Sequence, residues 1–326
     1  MILNHNLNRM KPKIFLALFF LTVFAIQICG QVTEGEKTLR AQSSDTTLGW
    51  KTGGSLTLTM SQTSLTNWAA GGQNSIALNG RLSLFASRKT EKSVWDNSLD
   101  IGYGLMKQGI DDYFTKTDDK IDLLSKYGRE AFKSFYYALL FNFKTQISPA
   151  YNYPDRTNEI SNFLAPAYIL LAAGLDYKPN PYFSAFIAPL TGKFTIVNNE
   201  ALSQQGAFGV TPGEKSRSEL GGYIRAAYSR NDFKAEILKN VAFTSKVDLF
   251  SNYLKDPQNI DVSWETLLGL KINKFLVVNF NIHLIYDDNT LSQVDRDGNG
   301  TVEPTEPPGP RVQFKEIFGV GFSFKF

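Results

Sequence analysis

The sequence predicts an all-β protein: a single transmembrane antiparallel barrel of about 12 strands. Three observations predict it. The chain ends in RVQFKEIFGVGFSFKF, where Phe318, Val320, Phe322, Phe324 and Phe326 alternate with Ile317, Gly319, Gly321, Ser323 and Lys325. The same period of two recurs along the chain, as expected for strands with one apolar and one polar face. The connections alternate between short and long, the pattern of barrels with tight turns at one rim and loops at the other.

The first residues read as a targeting segment. Arg9, Lys11 and Lys13 precede an apolar run over 14–28, and Gly30 offers a small residue for cleavage. The run is shorter than the ~20 residues of a spanning helix, so a secretory signal peptide over 1–30 is expected. Cys29 hints at a lipid anchor, but Ile28 stands where a small residue is expected. The leader holds three basic and no acidic residues, which leaves the remainder with 31 of each. Nothing in that balance favours nucleic acid as a partner. The only cysteine departs with the leader, and disulfide and thiol chemistry with it. Residues 31–47 are polar and aperiodic, a flexible periplasmic lead-in to a barrel over 48–326.

The strands follow in order. Over 48–61, Leu56, Leu58 and Met60 oppose Thr57, Thr59 and Ser61; over 75–87, Leu78, Leu82 and Leu84 oppose Asn79, Arg81 and Ser83. Over 94–107, Leu99, Ile101, Tyr103 and Leu105 oppose Ser98, Asp100 and two glycines. The segment 120–129 sets Ile121, Leu123 and Tyr127 against Lys120, Asp122 and Lys126. The clearest is 134–148, with Phe135, Tyr137, Leu139, Phe141 and Phe143 on one face and Asn142, Lys144 and Gln146 on the other. The segment 163–178 is too apolar to show a face, and 181–197 is expected to bend at Pro189. Over 218–229, Glu219 and Arg225 oppose Leu220, Ile224 and Tyr228. The long segment 233–250 is interrupted by Lys239, at a bulge or a rim. Over 260–272, Val262, Trp264 and Leu268 oppose Glu265 and Lys271; over 274–287, five aliphatic or aromatic residues oppose Asn279, Asn281 and His283.

Short turns are expected near 89–92, 129–133, 179–181, 230–232 and 273, and longer loops at 63–74, 108–119, 149–162, 198–217, 252–259 and 289–311. A sheet in lipid must satisfy its backbone by pairing, so it must close. With a periplasmic N-terminus, every long loop falls outside. Trp50, Trp95, Tyr151, Tyr153, Tyr177, Tyr182, Tyr228, Trp264 and Tyr286, near segment ends, suit interfacial girdles.

The strongest local motif is DRDGNGTVEPTE in the last long loop. Asp295, Asp297, Asn299, Thr301, Glu303 and Glu306 occupy positions 1, 3, 5, 7, 9 and 12 of an EF-hand-type loop, with Gly300 at the sharp turn. Ca²⁺ takes hard oxygen ligands at this spacing, so a structural Ca²⁺ site is expected, although no helices flank it. In the first long loop, Trp68 lies between small residues and before Gly71 and Gly72. It could tuck into the loop, plug the lumen or touch a partner.

The interior is expected to carry Arg81, Asp100, Lys120, Asp122, Lys126, Lys144, Glu219, Arg225, Glu265 and Lys271. Mixed signs favour a packed or narrow lumen over a charge-selective pore. For catalysis, His283 is the only histidine beyond the leader; it points inward, and no serine lies two residues along. A nucleophile, base and orienting group are not assembled by the sequence, and no enzyme is expected.

The terminal strand resembles the C-terminal signal strand of Gram-negative outer-membrane barrels. Two further stretches, 67–75 (NWAAGGQNS) and 116–128 (KTDDKIDLLSKYG), resemble an uncharacterised family of such barrels, with the resemblance extending over most of the chain after the leader. It implies fold and outer-membrane location and supplies no catalytic residues. The expected function is a structural or accessory role in the envelope, with outer-membrane lipids and other envelope proteins as partners. The alternative is a passive or ligand-selective channel for a small solute.

Overall fold

The computed structural model describes residues 48–66, 73–109, 113–273, 275–292 and 309–325. The leader, the lead-in, the Trp68 stretch, the 295–306 motif and Phe326 lie outside the described residues.

The period-two segments become strands, except that 233–240 of the ninth does not. In chain order they are β1 (Gly49–Thr63), β2 (Ser75–Lys89), β3 (Ser93–Gln108), β4 (Thr115–Phe132), β5 (Phe135–Thr145), β6 (Ala150–Tyr151), β7 (Glu159–Ser161) and β8 (Ala167–Asn180). Then come β9 (Phe183–Ile196), β10 (Ser216–Arg230), β11 (Val241–Asn252), β12 (Ile260–Lys271), β13 (Leu276–Tyr286), β14 (Leu291–Ser292), β15 (Gly309–Pro310) and β16 (Gln313–Lys325). Twelve of them close into one barrel in the order β1-β16-β13-β12-β11-β10-β9-β8-β5-β4-β3-β2. The pairs β6–β7 and β14–β15 are small hairpins within loops.

The barrel is sealed by its ends. β16 pairs antiparallel with β1 (Leu58↔Phe322, Met60↔Val320) and with β13 (Phe280↔Phe318). Phe318, Val320, Phe322 and Phe324 point outward and are exposed, whereas Ser323 is buried inside. The glycines on the inner face allow this seam to close: a Cβ on Gly321 would lie 2.2 Å from the Leu58 carbonyl oxygen.

The distribution of polarity is inverted relative to a soluble protein. Tyr137, Leu139, Ile187, Leu190 and Phe318 are more than half exposed on the outer wall, while Asp176, Thr191 and Thr195 are fully buried inside. Such an apolar band is costly in water and costs nothing against lipid tails, where only closed barrels and helices satisfy their backbone. No described helix is long and apolar enough to cross a membrane, which says nothing of a barrel of strands. Near the rim that carries the chain termini, Trp50 and Trp95 pack at 5.8 Å, and Phe135 packs against both Phe132 and Tyr177 at 4.6 Å. Aromatic belts of this kind mark a membrane–water boundary. Tyr286, by contrast, borders an internal cavity.

Short turns lie at the terminal rim and long connections at the far rim, with two departures from expectation. The connection after β10 is no tight turn: residues 231–240 include a 3-10 turn at Glu236–Leu238, so Lys239 belongs to the rim and Ile237 is solvent-exposed. The connection after β3 is shorter than its sequence suggests, because β4 begins at Thr115. Pro189 does mark a bend. Ala188 and Thr191 both face inward with two exposed residues between them, and pairing shifts beside them at Ala173/Leu175 and Gly221/Tyr223. Gly174 permits the bulge, since a Cβ there would meet the Ile187 carbonyl oxygen at 2.0 Å.

The far-rim loop 197–215 folds over the barrel mouth. It holds helix α1 (Glu200–Gln204), whose Asn199 cap accepts from the Leu202 N–H. Val197, Leu202 and Val210 form a small apolar core with Ala165 of the neighbouring loop. Glu159 ties the two loops by accepting from Asn162 and Asn199.

Candidate functional site

The pleat sends every second residue of each strand into the lumen, so charges on distant strands meet. Glu265 on β12 is 2.9 Å from Arg81 on β2, 3.1 Å from Lys120 on β4 and 3.4 Å from Lys246 on β11. β4 and β12 are six strands apart in either direction around the barrel. The Lys120–Glu265 contact therefore spans the lumen from wall to opposite wall.

The layer continues on the other side of Lys246. Asp122 is 3.8 Å from Lys246 and 4.0 Å from Lys144, and it accepts from Asn142. Asp248 binds Arg225 at 3.0 Å and accepts from the Tyr223 hydroxyl at 2.5 Å. A second cluster nearer the terminal rim joins Lys126 and Lys178 to the fully buried Asp176, with Asp96 at 3.7 Å from Lys178. A third, toward the far rim, holds Lys193 against Asp261 (2.5 Å), Asp287 (3.4 Å) and Glu219 (3.7 Å), with Arg217 on Glu219. Buried charges are costly unless paired, and each of these lies within 4.0 Å of an opposite charge.

Nine of the ten lumen residues expected from sequence take part in such contacts: Asp100 accepts from Ser83, and the others join the ion pairs above. Lys271 ends β12 at the terminal rim, outside these clusters. Sequence reasoning missed Lys246, Asp248, Asp176, Lys193, Asp261 and Tyr223. Lys246 and Asp248 were legible, because they oppose Val241, Phe243 and Val247 at the right period. Asp176 was hidden in a segment with no visible face, and the Pro189 bulge shifts the parity of Lys193.

Above the central layer, toward the far rim, lies a cavity of about 340 Å³. Its floor includes Asn142, Lys144, Tyr223 and Asp248; its walls include Tyr168, Leu170, Phe250 and Ile285. Phe208 enters from the mouth loop with φ 57° and ψ 24°. A bulky residue in the left-handed region costs about 1–2 kcal/mol, a strain the surrounding apolar packing sustains. A smaller cavity of about 60 Å³, bordered by Thr57, Arg81, Asp118 and Asn281, lies elsewhere in the lumen.

His283 faces the larger cavity, and its Nε2 lies 3.1 Å from Ser263 Oγ. That contact was not foreseen; it is diagonal across the β12–β13 pair, in which Glu265 stands opposite His283. Among the described residues no carboxylate is hydrogen-bonded to the other imidazole nitrogen. The described residues also hold no cluster of three or more metal-ligating side chains of the histidine, cysteine or carboxylate type. The hairpin β14–β15 pins together the two ends of the segment that contains the calcium-type motif.

These features define a closed antiparallel barrel with an apolar outer wall and a charge-crossed interior. Residues 60–151 match the family described as protein of unknown function (DUF3078). Both stretches of the sequence resemblance, 67–75 and 116–128, fall within that match, which is narrower than the extent expected. No curated protein matches the chain. Among solved structures, the chain is similar to the translocator domain of the autotransporter NalP from Neisseria meningitidis: 10% identity, TM-score 0.36, covering 96% of this chain and 98% of that one. It is similar also to the COG4313 outer membrane channel from Pseudomonas putida F1, at 9% identity and TM-score 0.40, covering 89% and 98%. A third is the outer membrane phospholipase dimer from Salmonella typhi, at 11% identity and TM-score 0.36, covering 91% and 98%. Likeness at this level carries no argument about activity.

Proposed function

We propose that the protein is a non-catalytic outer-membrane barrel with a structural or accessory role in the envelope, its lumen held shut by ion pairs. The observation that carries this is the Lys120–Glu265 contact at 3.1 Å between diametrically opposed strands. A conducting pore needs a continuous wet path, and this layer stands across it. The apolar outer wall, the aromatic belt and the leader support outer-membrane placement, with the termini periplasmic and the long loops outside. Lipids are then the obligatory partners, and other envelope proteins the candidates for the exposed loops. Reconstitution into planar lipid bilayers tests the closed lumen: the protein should be electrically silent, and steady single-channel conductance would overturn the reading.

A second reading, a ligand-selective channel, is favoured by the far-rim cavity resting directly on the ion-pair layer. It requires conductance that appears only with a solute. The catalytic alternative is weaker, since the Ser263–His283 pair lacks an orienting carboxylate among the described residues.

The same proposal includes a structural Ca²⁺ site at Asp295, Asp297, Asn299, Thr301, Glu303 and Glu306. It rests on the ligand spacing and on the β14–β15 hairpin, which draws the ends of the segment together. Calorimetric titration with Ca²⁺ should give saturable heat that Asp295→Ala abolishes; unchanged heats in that variant would dispose of the site.

A further inference from the structure

We propose that the far-rim cavity binds a neutral, polyhydroxylated ring, a pyranose sugar, with one ring hydroxyl seated between Lys144 and Asp248. This goes beyond the closed-lumen reading and stands or falls by a different measurement.

The cavity floor holds a donor and an acceptor that stop short of each other. Asp248 is only 7% exposed. Its Oδ1 accepts from Arg225 at 3.0 Å and from the Tyr223 hydroxyl, while its Oδ2 accepts from no described residue. Lys144 Nζ lies 4.0 Å from that Oδ2 and 4.0 Å from Asp122, too long for a hydrogen bond in either case. A buried acceptor left unmatched is costly. An oxygen set to one side of the Lys144–Asp248 gap lies about 2.8 Å from both ends, and it must accept from the ammonium and donate to the carboxylate. A hydroxyl does both. A carboxylate only accepts, and an ammonium only donates.

The charge of the lining gives the same answer. Lys144 and Lys193 stand against Asp248, Asp261 and Asp287, so an ion of either sign would meet its like as well as its opposite. Lys193 is already committed to Asp261 at 2.5 Å and to Asp287 at 3.4 Å. A neutral ligand enters without the cost of burying a further charge. Gln146, Thr290 and Gln313 bring amide and hydroxyl groups to the same cavity, partners for further ring hydroxyls.

The walls suit the faces of such a ring. Tyr168, Phe208 and Phe250 border the cavity, with Phe208 supplied by the mouth loop. A pyranose carries its hydroxyls at the rim and C–H groups on its faces, and the negative face of an aromatic ring attracts polarised C–H groups. The volume of about 340 Å³ is at the small end of ligand pockets, enough for a mono- or disaccharide.

The test is calorimetric titration of the full barrel in a polyoxyethylene detergent, because glucoside and maltoside detergents carry the ring in question. Glucose, galactose and mannose are the probes. The uronate and the 6-amino-6-deoxy form of the sugar that binds serve as its anionic and cationic twins. At least one neutral sugar should bind saturably at one site, about tenfold or more tighter than either charged twin. Lys144→Met should weaken it about tenfold or more, and Phe208→Ala should weaken it too. Folding of each variant is checked by its migration on unheated gels. The methyl glycoside separates two sources of the ring, both of which support the proposal: retained binding fits the end of a surface glycan, and lost binding restricts the site to free sugar. No saturable binding of any of the three sugars would leave the gap to water and overturn the proposal. So would equal or tighter binding of a charged twin, or unchanged affinity in either folded variant. Bilayer conductance is not read in this experiment, so its outcome is separate from that of the closed-lumen reading.

Discussion

Replacing Glu265 by Gln keeps the shape of the side chain and deletes the charge that Arg81, Lys120 and Lys246 share at 2.9, 3.1 and 3.4 Å. The layer would then lose a carboxylate that three of its cations share. Breaking a buried ion pair by removing one partner costs ~3–5 kcal/mol. The lower end applies here, because the side chains of Arg81 and Lys120 retain 18% and 22% exposure and so some hydration. With a urea dependence of ~3 kcal/mol per molar, a loss of about 3 kcal/mol moves the unfolding midpoint down by about 1 M. The assay is urea unfolding of the barrel in lipid vesicles, followed by tryptophan fluorescence. The double variant Lys120→Met with Glu265→Gln removes one of the stranded cations, so it should lose less than the sum of the single losses, by about 1 kcal/mol or more. A midpoint for Glu265→Gln within about 0.2 M of the parent, or strictly additive losses in the cycle, would refute the shared-carboxylate reasoning.

Two further perturbations probe the wall. Gly174→Ala places a methyl where the Ile187 carbonyl oxygen lies 2.0 Å away, so the β8–β9 bulge must shift; a loss of ~1–3 kcal/mol in the same unfolding assay is expected, and a neutral result would show that the bulge is not tightly packed. Phe318→Arg puts a charge on the outer face near the middle of β16, where Phe318 is 63% exposed and packs edge-on against Phe280. If that face meets lipid, the substitution costs ~2–4 kcal/mol, and folding yield into vesicles should fall; full yield at unchanged stability would contradict lipid contact.

The fold was legible because a barrel in lipid imposes period two on nearly every strand. β5 shows this plainly: Tyr137 and Leu139 are exposed to the outside, and Ala138, Leu140 and Asn142 are buried within. The rule fails where the pattern is lost. β8 is apolar on both faces because its inner residues Leu170 and Ala172 join an internal apolar cluster with Phe186, Tyr223 and Phe250. Around Pro189 the parity reverses, so Lys193 faces inward where plain alternation from Ala188 would turn it outward. Loop lengths were less legible, since the exposed Ile237 imitates a strand residue in what is a rim connection. The interior was half legible. Which charges face inward follows from strand parity, but which ones meet depends on the order of strands around the barrel. Lys120 and Glu265 are 145 residues apart in the chain, and only closure of the sheet brings them together.

The most direct measurement is lipid and water accessibility along β5. The only cysteine, Cys29, precedes the barrel, so single cysteines can be introduced one at a time at Tyr137, Ala138, Leu139 and Leu140 and spin-labelled in vesicles. Positions 137 and 139 should be relaxed by oxygen dissolved in the bilayer, while 138 and 140 should be shielded from it, reversing at every step. A uniform response along the strand, or labels at 137 and 139 reached by a water-borne relaxant, would contradict a lipid-facing outer wall.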